Sequence, residues 1–368
     1  MFGHFKLYLK NFDWLILAAV LLLVAFGLVE IYSVALGQSG ADLLNFKKQV
    51  IFAFIGIAGL FFFTFLDAYS LKNLSRYLYI LGVLLLIIVL FIGHNIRGHQ
   101  GWIALAGFSL QPVEPVKIIL TLALASFFAN LATKVKTVRH FLYSALIVSG
   151  LIFLVLLQPD LGSAIILGAI WFIMIMAAGF NKKYLLIVFV AVTVFFILSW
   201  FLMFKDYQKA RIINFLNPGA NSQQSGYNVS QAMIAVGSGG LTGKGVGLGS
   251  QSQLKFLPEA HTDFIFSVIA EELGYLGVFL VLCFYAIFFW RCFRVLPKIN
   301  NDFGIYFIIG ATGLIFVQMF INIGMNLGIM PIVGLPLPFI SYGGSSLVSL
   351  LVVVGIIENI IIKSKISY

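Results

Sequence analysis

The sequence predicts an all-α polytopic membrane protein with ten transmembrane helices, both termini cytoplasmic, and a large extracytoplasmic loop between helices 7 and 8. Three observations lead there. Hydrophobic residues make up 61% of the chain and charged residues only 10%, with 38 phenylalanines among 368 residues; a water-soluble domain of that size lacks the polar groups to cover such an interior, so its solvent is lipid. Apolar runs of about 17 residues or more recur, the helical length that crosses roughly 30 Å of hydrocarbon. The runs are apolar on every side, which favours helices over a barrel, whose strands alternate in short segments.

Ten segments meet the length: about 14–34, 47–66, 76–93, 114–132, 139–157, 161–179, 183–204, 264–290, 303–326 and 340–362. The first follows Lys6 and Lys10 and ends near Ser33-Val34-Ala35, like a cleavable leader, but it is too long and more spans follow, so an uncleaved first helix is expected. With the N-terminus inside, the inner connections hold Lys72, Arg76, Lys134, Lys136, Arg139, Lys182, Lys183, Arg291, Arg294 and Lys298. The short outer connections offer only Lys47, Lys48 and Arg97, and short loops set orientation. The loop of about 205–262 then lies outside despite Lys205, Lys209, Arg211, Lys244 and Lys255, because long loops translocate largely regardless of charge. The net charge of +10 therefore reads as a topology signal and not as a nucleic-acid footprint. Residues 1–368 read as a single membrane domain. Cys283 and Cys292, nine residues apart on one helix, stand about 13 Å apart and cannot bridge each other.

The outer connections are the richer ones. They comprise Ile92 to Val113, the hairpin Gln158-Pro159-Asp160, the long loop, and Leu327 to Tyr342 with Pro331, Pro336 and Pro338. Gly237 to Gly249 is glycine-dense, and Gly243-Lys244 evokes a phosphate loop, but no Ser or Thr follows the lysine and no strand precedes it. A flexible surface turn is expected there, with amides able to touch an anionic substrate.

Charged groups inside hydrocarbon cost at least about 2.5 kcal/mol each and are functional candidates by default. Glu114 and Lys117 share one face of the fourth span, as a helix-packing ion pair, the lining of an outward-opening polar cavity, or both. Pro112 and Pro115 suit a first helical turn and place its start here. Asp160 opens the sixth span, where an aspartate is first an N-cap. Asp263 stands at the outer entrance of the eighth span behind Pro258, Glu259 and His261, as a cap or as a general base. A glycosidase-type pair with Glu271 fails on geometry, since eight helical residues put Glu271 about 12 Å deeper, beyond the roughly 5–9.5 Å such pairs need. His261 is a partner for Asp263, a base itself, or a solvated loop histidine. No Cys/His spacing suits zinc. Spacing and composition reach an outward-opening membrane protein and do not separate a transporter from an enzyme.

Four strings carry a resemblance: Gln111-Pro112-Val113-Glu114-Pro115-Val116-Lys117; Gln158-Pro159-Asp160-Leu161-Gly162-Ser163; Phe256 to Phe266 (FLPEAHTDFIF) with Ala270-Glu271-Glu272-Leu273-Gly274; and Leu335 to Ser346 (LPLPFISYGGSS). Together, in this order and over nearly the whole chain, they resemble the SEDS family (shape, elongation, division and sporulation). Gly249 to Pro258 and Met330 to Gly334 resemble the branch that serves elongation more than the one that serves division. Val113 departs from the family's usual serine before the glutamate. The resemblance implies a peptidoglycan glycosyltransferase of the bacterial cytoplasmic membrane that polymerises lipid II at the extracytoplasmic face, works with a class B penicillin-binding protein and serves the elongation machinery. Asp263 falls on the family's essential acidic position and is the expected catalytic base. A sugar hydroxyl is a poor nucleophile, and a positioned base contributes roughly 10²–10⁴ in rate; an inverting displacement needs one base and no covalent nucleophile. The leaving pyrophosphate needs positive charge, for which Lys117 and Arg211 are the candidates, with Lys244 and Arg97 behind them. Glu114, Asp160, His261 and Ser341 complete the expected substrate contacts. A divalent cation (Mg or Mn) is an alternative source of that charge, with no ligand set evident in the sequence. A lipid II flippase and a scaffold that activates a penicillin-binding partner are the rival readings.

Overall fold

A computed structural model describes residues 8, 10–37, 43–96, 99–105, 108–132, 134, 136–202, 209, 213 and 225–366. The helices are α1 (Trp14–Leu36), α2 (Leu44–Phe65), α3 (Ala68–Ile92), α4 (Val113–Ala129), α5 (Val138–Leu157), α6 (Leu161–Ala178), α7 (Lys182–Leu202), α8 (Ser225–Ser238), α9 (Ser250–Gln253), α10 (Ile265–Val295), α11 (Asp302–Asn326) and α12 (Gly344–Ile366). A helix lies over each of the ten apolar segments, and eight are both long and apolar enough to cross a membrane. The other two are α7 and α4, the latter with 17 residues. This is a multi-pass membrane protein.

The bundle packs as α12 along α2, α10 along α1, α11 against α4 and α6, and α3 against α4. Lipid tails are as apolar as leucine, so close helix contact in a bilayer rests on small residues that let backbones approach. Gly355 meets that need, since a Cβ there would lie 2.3 Å from the Leu60 carbonyl oxygen. In contrast, α7 stands at the edge, with Leu186, Ile187 and Phe201 mostly exposed. At the end of the bundle away from the long loop, Arg291 pairs with Asp13, whose backbone N–H donates to Glu358 Oε2 at 3.0 Å. That cluster ties together α1, α10 and α12.

The fold is not purely helical. His94–Ile96, His99–Leu105 and Phe108–Leu110 form strands β1, β2 and β3 of an antiparallel sheet in the order β1-β2-β3. Ile103 pairs with Leu110 and Ala104 with Ser109. The all-α expectation missed it because the strands are very short and glycine interrupts their alternation.

The glycine-dense stretch is not a flexible surface turn. Helix α10 breaks at Gly274 (φ 65, ψ −163), and the stretch fills the break. Lys244 and Gly245 N–H donate to the carbonyls of Glu271 and Glu272 at 3.0 and 2.9 Å, and Tyr275 and Leu276 N–H donate to those of Gly240 and Leu241 at 2.9 and 3.1 Å. Irregular backbone survives at membrane depth only where protein satisfies it, and this stretch does that for the broken helix. Its glycines are required by contact: a Cβ on Gly239 would lie 1.8 Å from the Ala270 oxygen, and one on Gly243 (φ +77) 2.1 Å from the Glu272 oxygen. Four of its amides are thereby committed, Gly247 N–H going to Glu272 Oε2 at 3.0 Å and Gly243 N–H to the Gly239 carbonyl at 2.9 Å, so they are not available to an anion.

A second irregular segment, residues 329–343, runs between α11 and α12. Proline removes backbone donors, and the carbonyls here are met by side chains: Gln318 Nε2 donates to Pro336 at 3.0 Å, Asn322 Nδ2 to Leu335 at 2.7 Å, and the Tyr285 hydroxyl to Pro338. Helices α1 and α6 press on it through glycines, since a Cβ on Gly27 would lie 2.3 Å from the Ile340 oxygen and one on Gly162 2.8 Å from the Val333 oxygen.

Candidate functional site

The string from Ser341 to Ser345 is where the other motifs meet. Ser341 Oγ donates to the Thr262 carbonyl at 2.6 Å and accepts from Leu337 N–H at 2.7 Å. Tyr342 N–H donates to the His261 carbonyl at 2.8 Å, and the two rings meet edge to face at 5.4 Å. Burial raises the Tyr342 phenol above its ordinary range. Ser345 Oγ accepts from Gln111 N–H at 2.9 Å, and the Gln111 side chain reaches Asp160 Oδ2 at 3.4 Å. Gln49, buried on α2, donates to the Ser341 carbonyl and accepts from Gly343 N–H, both at 3.2 Å. Segments 111–117, 158–163 and 261–263 are thus joined at one place although up to 234 positions separate the bonded residues.

Asp263 stands half-buried, one residue before the N-cap position Phe264 of α10. Its carbonyl accepts Asn322 Nδ2 at 3.1 Å and Asn326 Nδ2 at 3.0 Å. Gly334, at φ +72, faces the carboxylate, and a Cβ there would lie 3.7 Å from Oδ2. A glycine therefore supplies the left-handed turn and brings no side chain against the carboxylate. Beside it, Thr262 Oγ1 donates to Glu259 Oε2 at 3.2 Å, and Glu259 itself sits at φ 54. Backbone in that region costs energy for a residue with a side chain and gathers near functional sites.

The remaining expected residues fall into distinct places. Glu114 and Lys117 form a 2.8 Å ion pair, 4% and 1% exposed, within two turns of the Gln111–Ser345 bond. Asp160 is an N-cap, its Oδ1 accepting from Ser163 N–H at 2.9 Å. Ser341 spends its hydroxyl on the two backbone bonds already given. Lys244 binds Glu271 at 2.8 Å and Ser250 at 2.9 Å, so it belongs with the glycine stretch, some eight helical residues from Asp263. Arg211 and Arg97 lie outside the described residues. Among the described residues, no three His, Cys, Asp or Glu side chains are grouped to hold a metal ion.

Sequence reasoning missed Gln49, Gln111, Gln318, Asn322 and Asn326. The last three recur at i, i+4 and i+8 of α11, all fully buried, and amides at helical spacing in an apolar span were the available signal. It also missed Glu30, fully buried on α1, whose two carboxyl oxygens have no partner among the described residues.

The sequence pattern of the FtsW, RodA and SpoVE family, described as cell cycle proteins, matches residues 13–366. The chain belongs to this family. A probable peptidoglycan glycosyltransferase FtsW of Geobacter metallireducens is 36% identical over 98% of each chain. The peptidoglycan glycosyltransferase MrdB of Escherichia coli K12 is 33% identical over 95% of this chain and 93% of its own. The stage V sporulation protein E of Bacillus subtilis is 34% identical over 95% and 96%. Among solved structures, the rod shape determining protein RodA of Thermus thermophilus superposes with a TM-score of 0.72 at 28% identity, over 95% of this chain and 96% of that one. A chain from a peptidoglycan synthase complex, studied for its coordination of polymerization and crosslinking, reaches 0.81 at 29% identity, over 97% and 98%. The FtsW/RodA/SpoVE family thus accounts for the whole run of α1 to α12.

Proposed function

We propose that this chain is a peptidoglycan glycosyltransferase that polymerises lipid II into glycan strands, with Asp263 as the general base. The observation that carries the reading is the half-buried Asp263 at the head of α10, its backbone held by Asn322 and Asn326 and its carboxylate facing Gly334. In the reaction, Asp263 takes the proton of the acceptor sugar hydroxyl. The freed oxygen attacks the anomeric carbon of the donor, and the bond to undecaprenyl pyrophosphate breaks with inversion. One base suffices for this, in keeping with the absence of a second carboxylate at glycosidase spacing on α10.

The ten helices are ten spans with both ends cytoplasmic, residues 205–262 and Asp263 lie on the extracytoplasmic side, and the cell is bacterial. The basic residues of the short connections support this orientation. A class B penicillin-binding protein is the partner, supported by the likeness to a chain of a peptidoglycan synthase complex, and elongation is the duty, supported by the RodA-like strings and the likeness to Thermus RodA. Relatives named FtsW and SpoVE are at least as similar in sequence, 36% and 34% identical against 33% for MrdB, so complementation of elongation-depleted and division-depleted cells is the test of that duty. Lys117 serves the leaving pyrophosphate only if its bond to Glu114 opens.

The experiment is polymerisation of purified lipid II by the full chain with its partner, wild type against Asp263→Asn. Glycan from the wild type alone supports the base assignment, and glycan from a folded Asp263→Asn protein rejects it. A flippase is the second reading, favoured by the buried intramembrane Glu114–Lys117 pair and Glu30. It predicts translocation of lipid II and no polymer.

A further inference from the structure

Helix α10 begins irregularly at the residue that matters most. In a continuous helix the Asp263 carbonyl would accept Ser267 N–H four residues on. Instead Ser267 N–H goes to the Phe264 carbonyl at 3.0 Å and to Asn326 Oδ1 at 3.2 Å. The Asp263 carbonyl is taken by two side chains of a different helix, Asn322 and Asn326 of α11. We propose that Asn322 and Asn326 are positioning residues for glycosyl transfer, setting the backbone of Asp263 and through it the direction of its carboxylate. The inference rests on the reading of Asp263 as the base.

Three observations carry it. First, the orientation of the Asn326 amide is chemically determined. Ser267 N–H is an obligate donor, so the atom facing it is Oδ1, which also takes Ser267 Oγ at 2.7 Å; Nδ2 is left for the Asp263 carbonyl. Second, Asn322 holds both walls of the site with one amide, donating to Asp263 at 3.1 Å and to Leu335 at 2.7 Å. Leu335 adjoins Gly334, which faces the carboxylate. Third, both asparagines are fully buried, so no solvent stands ready to replace a lost donor. The second Asn326 Nδ2 hydrogen is shared between the Asn322 carbonyl at 2.8 Å and Asn322 Oδ1 at 3.3 Å, which couples the pair. An unsatisfied carbonyl turns to find a donor, and a misplacement of about 1 Å at a reacting group costs on the order of 10²-fold in rate.

The test is steady-state polymerisation of lipid II by the full chain with its penicillin-binding partner, read as kcat and KM. Asn322→Asp and Asn326→Asp are nearly isosteric and put an acceptor where the Asp263 carbonyl needs a donor; Asn326→Asp also keeps the acceptor toward Ser267. Each is expected to lower kcat by about 10- to 100-fold with KM within about twofold. Asn359→Ala is the control: it removes a buried amide that donates to the Thr64 carbonyl at 2.7 Å, 15 residues along α12 from Gly344 and so about 22 Å away. It is expected to lower the thermal midpoint and leave kcat within about twofold. Where an aspartate variant does not purify as a folded species, Asn322→Ser and Asn326→Ser take its place, with the same expectation. Full kcat in the asparagine variants beside an inactive Asp263→Asn overturns the positioning role alone. A loss in KM without a loss in kcat overturns it too, by assigning the asparagines to binding. Turnover by Asp263→Asn overturns the base assignment and this inference together.

Discussion

Residues 239–253 and 329–343 are both irregular backbone packed among helices, and they solve the same problem in opposite ways. The first is rich in glycine and brings its own backbone against the break in α10, exchanging four amide–carbonyl bonds with residues 271–276. The second carries three prolines, and the carbonyls of Leu335, Pro336 and Pro338 are held by side chains from α10 and α11. The first buries charge: Glu271 accepts Lys244, Ser250 and two backbone amides, and Glu272 accepts Ser33, Gly247, Ser252 and Gln253. The second is held entirely by neutral groups and carries the Asp263 neighbourhood. Where a backbone binds a backbone, sequence can change only at the cost of contact. Where side chains do the binding, a single helix face can set the geometry of a site.

The largest expected effect separates the two segments by chemistry. Asp263→Asn should reduce polymerisation by about 10²–10⁴-fold with an unchanged thermal midpoint, measured on purified lipid II. Glu271→Gln, in the glycine segment, should lower the midpoint while each folded molecule keeps its rate. Equal rate losses in the two variants would erase the distinction.

Next comes the buried ion pair beneath the site. Lys117→Met leaves Glu114 uncompensated and should destabilise by about 3–5 kcal/mol, read by chemical or thermal unfolding. Adding Glu114→Gln should restore most of that stability. If the double variant also recovers activity, Lys117 has no part in stabilising the leaving pyrophosphate.

Two glycines sharpen the contrast further. Gly243→Ala forces a Cβ to 2.1 Å from the Glu272 oxygen and should cost about 2–4 kcal/mol of stability. Gly334→Ala meets only ordinary contact, 3.7 Å from Asp263 Oδ2, so its stability loss should be about 1–2 kcal/mol while its rate falls more than that of Gly243→Ala. The smallest effect on rate is Ser341→Ala, which unbinds the Thr262 carbonyl and Leu337 N–H and should cost about 1–3 kcal/mol of stability, with a rate loss under tenfold.

Much of this molecule was legible beforehand. The ten helical segments could be read because lipid demands apolar residues around a whole helix, a signal that survives without any knowledge of neighbours. The cap at Asp160 was legible because its partner Ser163 is three residues away. The Glu114–Lys117 pair was visible for the same reason. The sheet at 94–110 was not, since strands of three to seven residues offer too little alternation. The bond of Lys244 to Glu271 was not legible either, because that partner lies 27 residues on and nothing local announces it.

By itself the sequence determined the membrane class, the positions of the helices, the family motifs and the candidate base Asp263, because each rests on composition or on spacing within a few residues. The tertiary structure alone decided that the glycine stretch mends the break at Gly274, that Ser341 to Ser345 gathers the other motifs, and that Asn322 and Asn326 hold the Asp263 carbonyl. Those bonds join groups 27 to 234 positions apart, and a buried donor takes whichever acceptor the packing brings within about 3 Å, which no local pattern specifies.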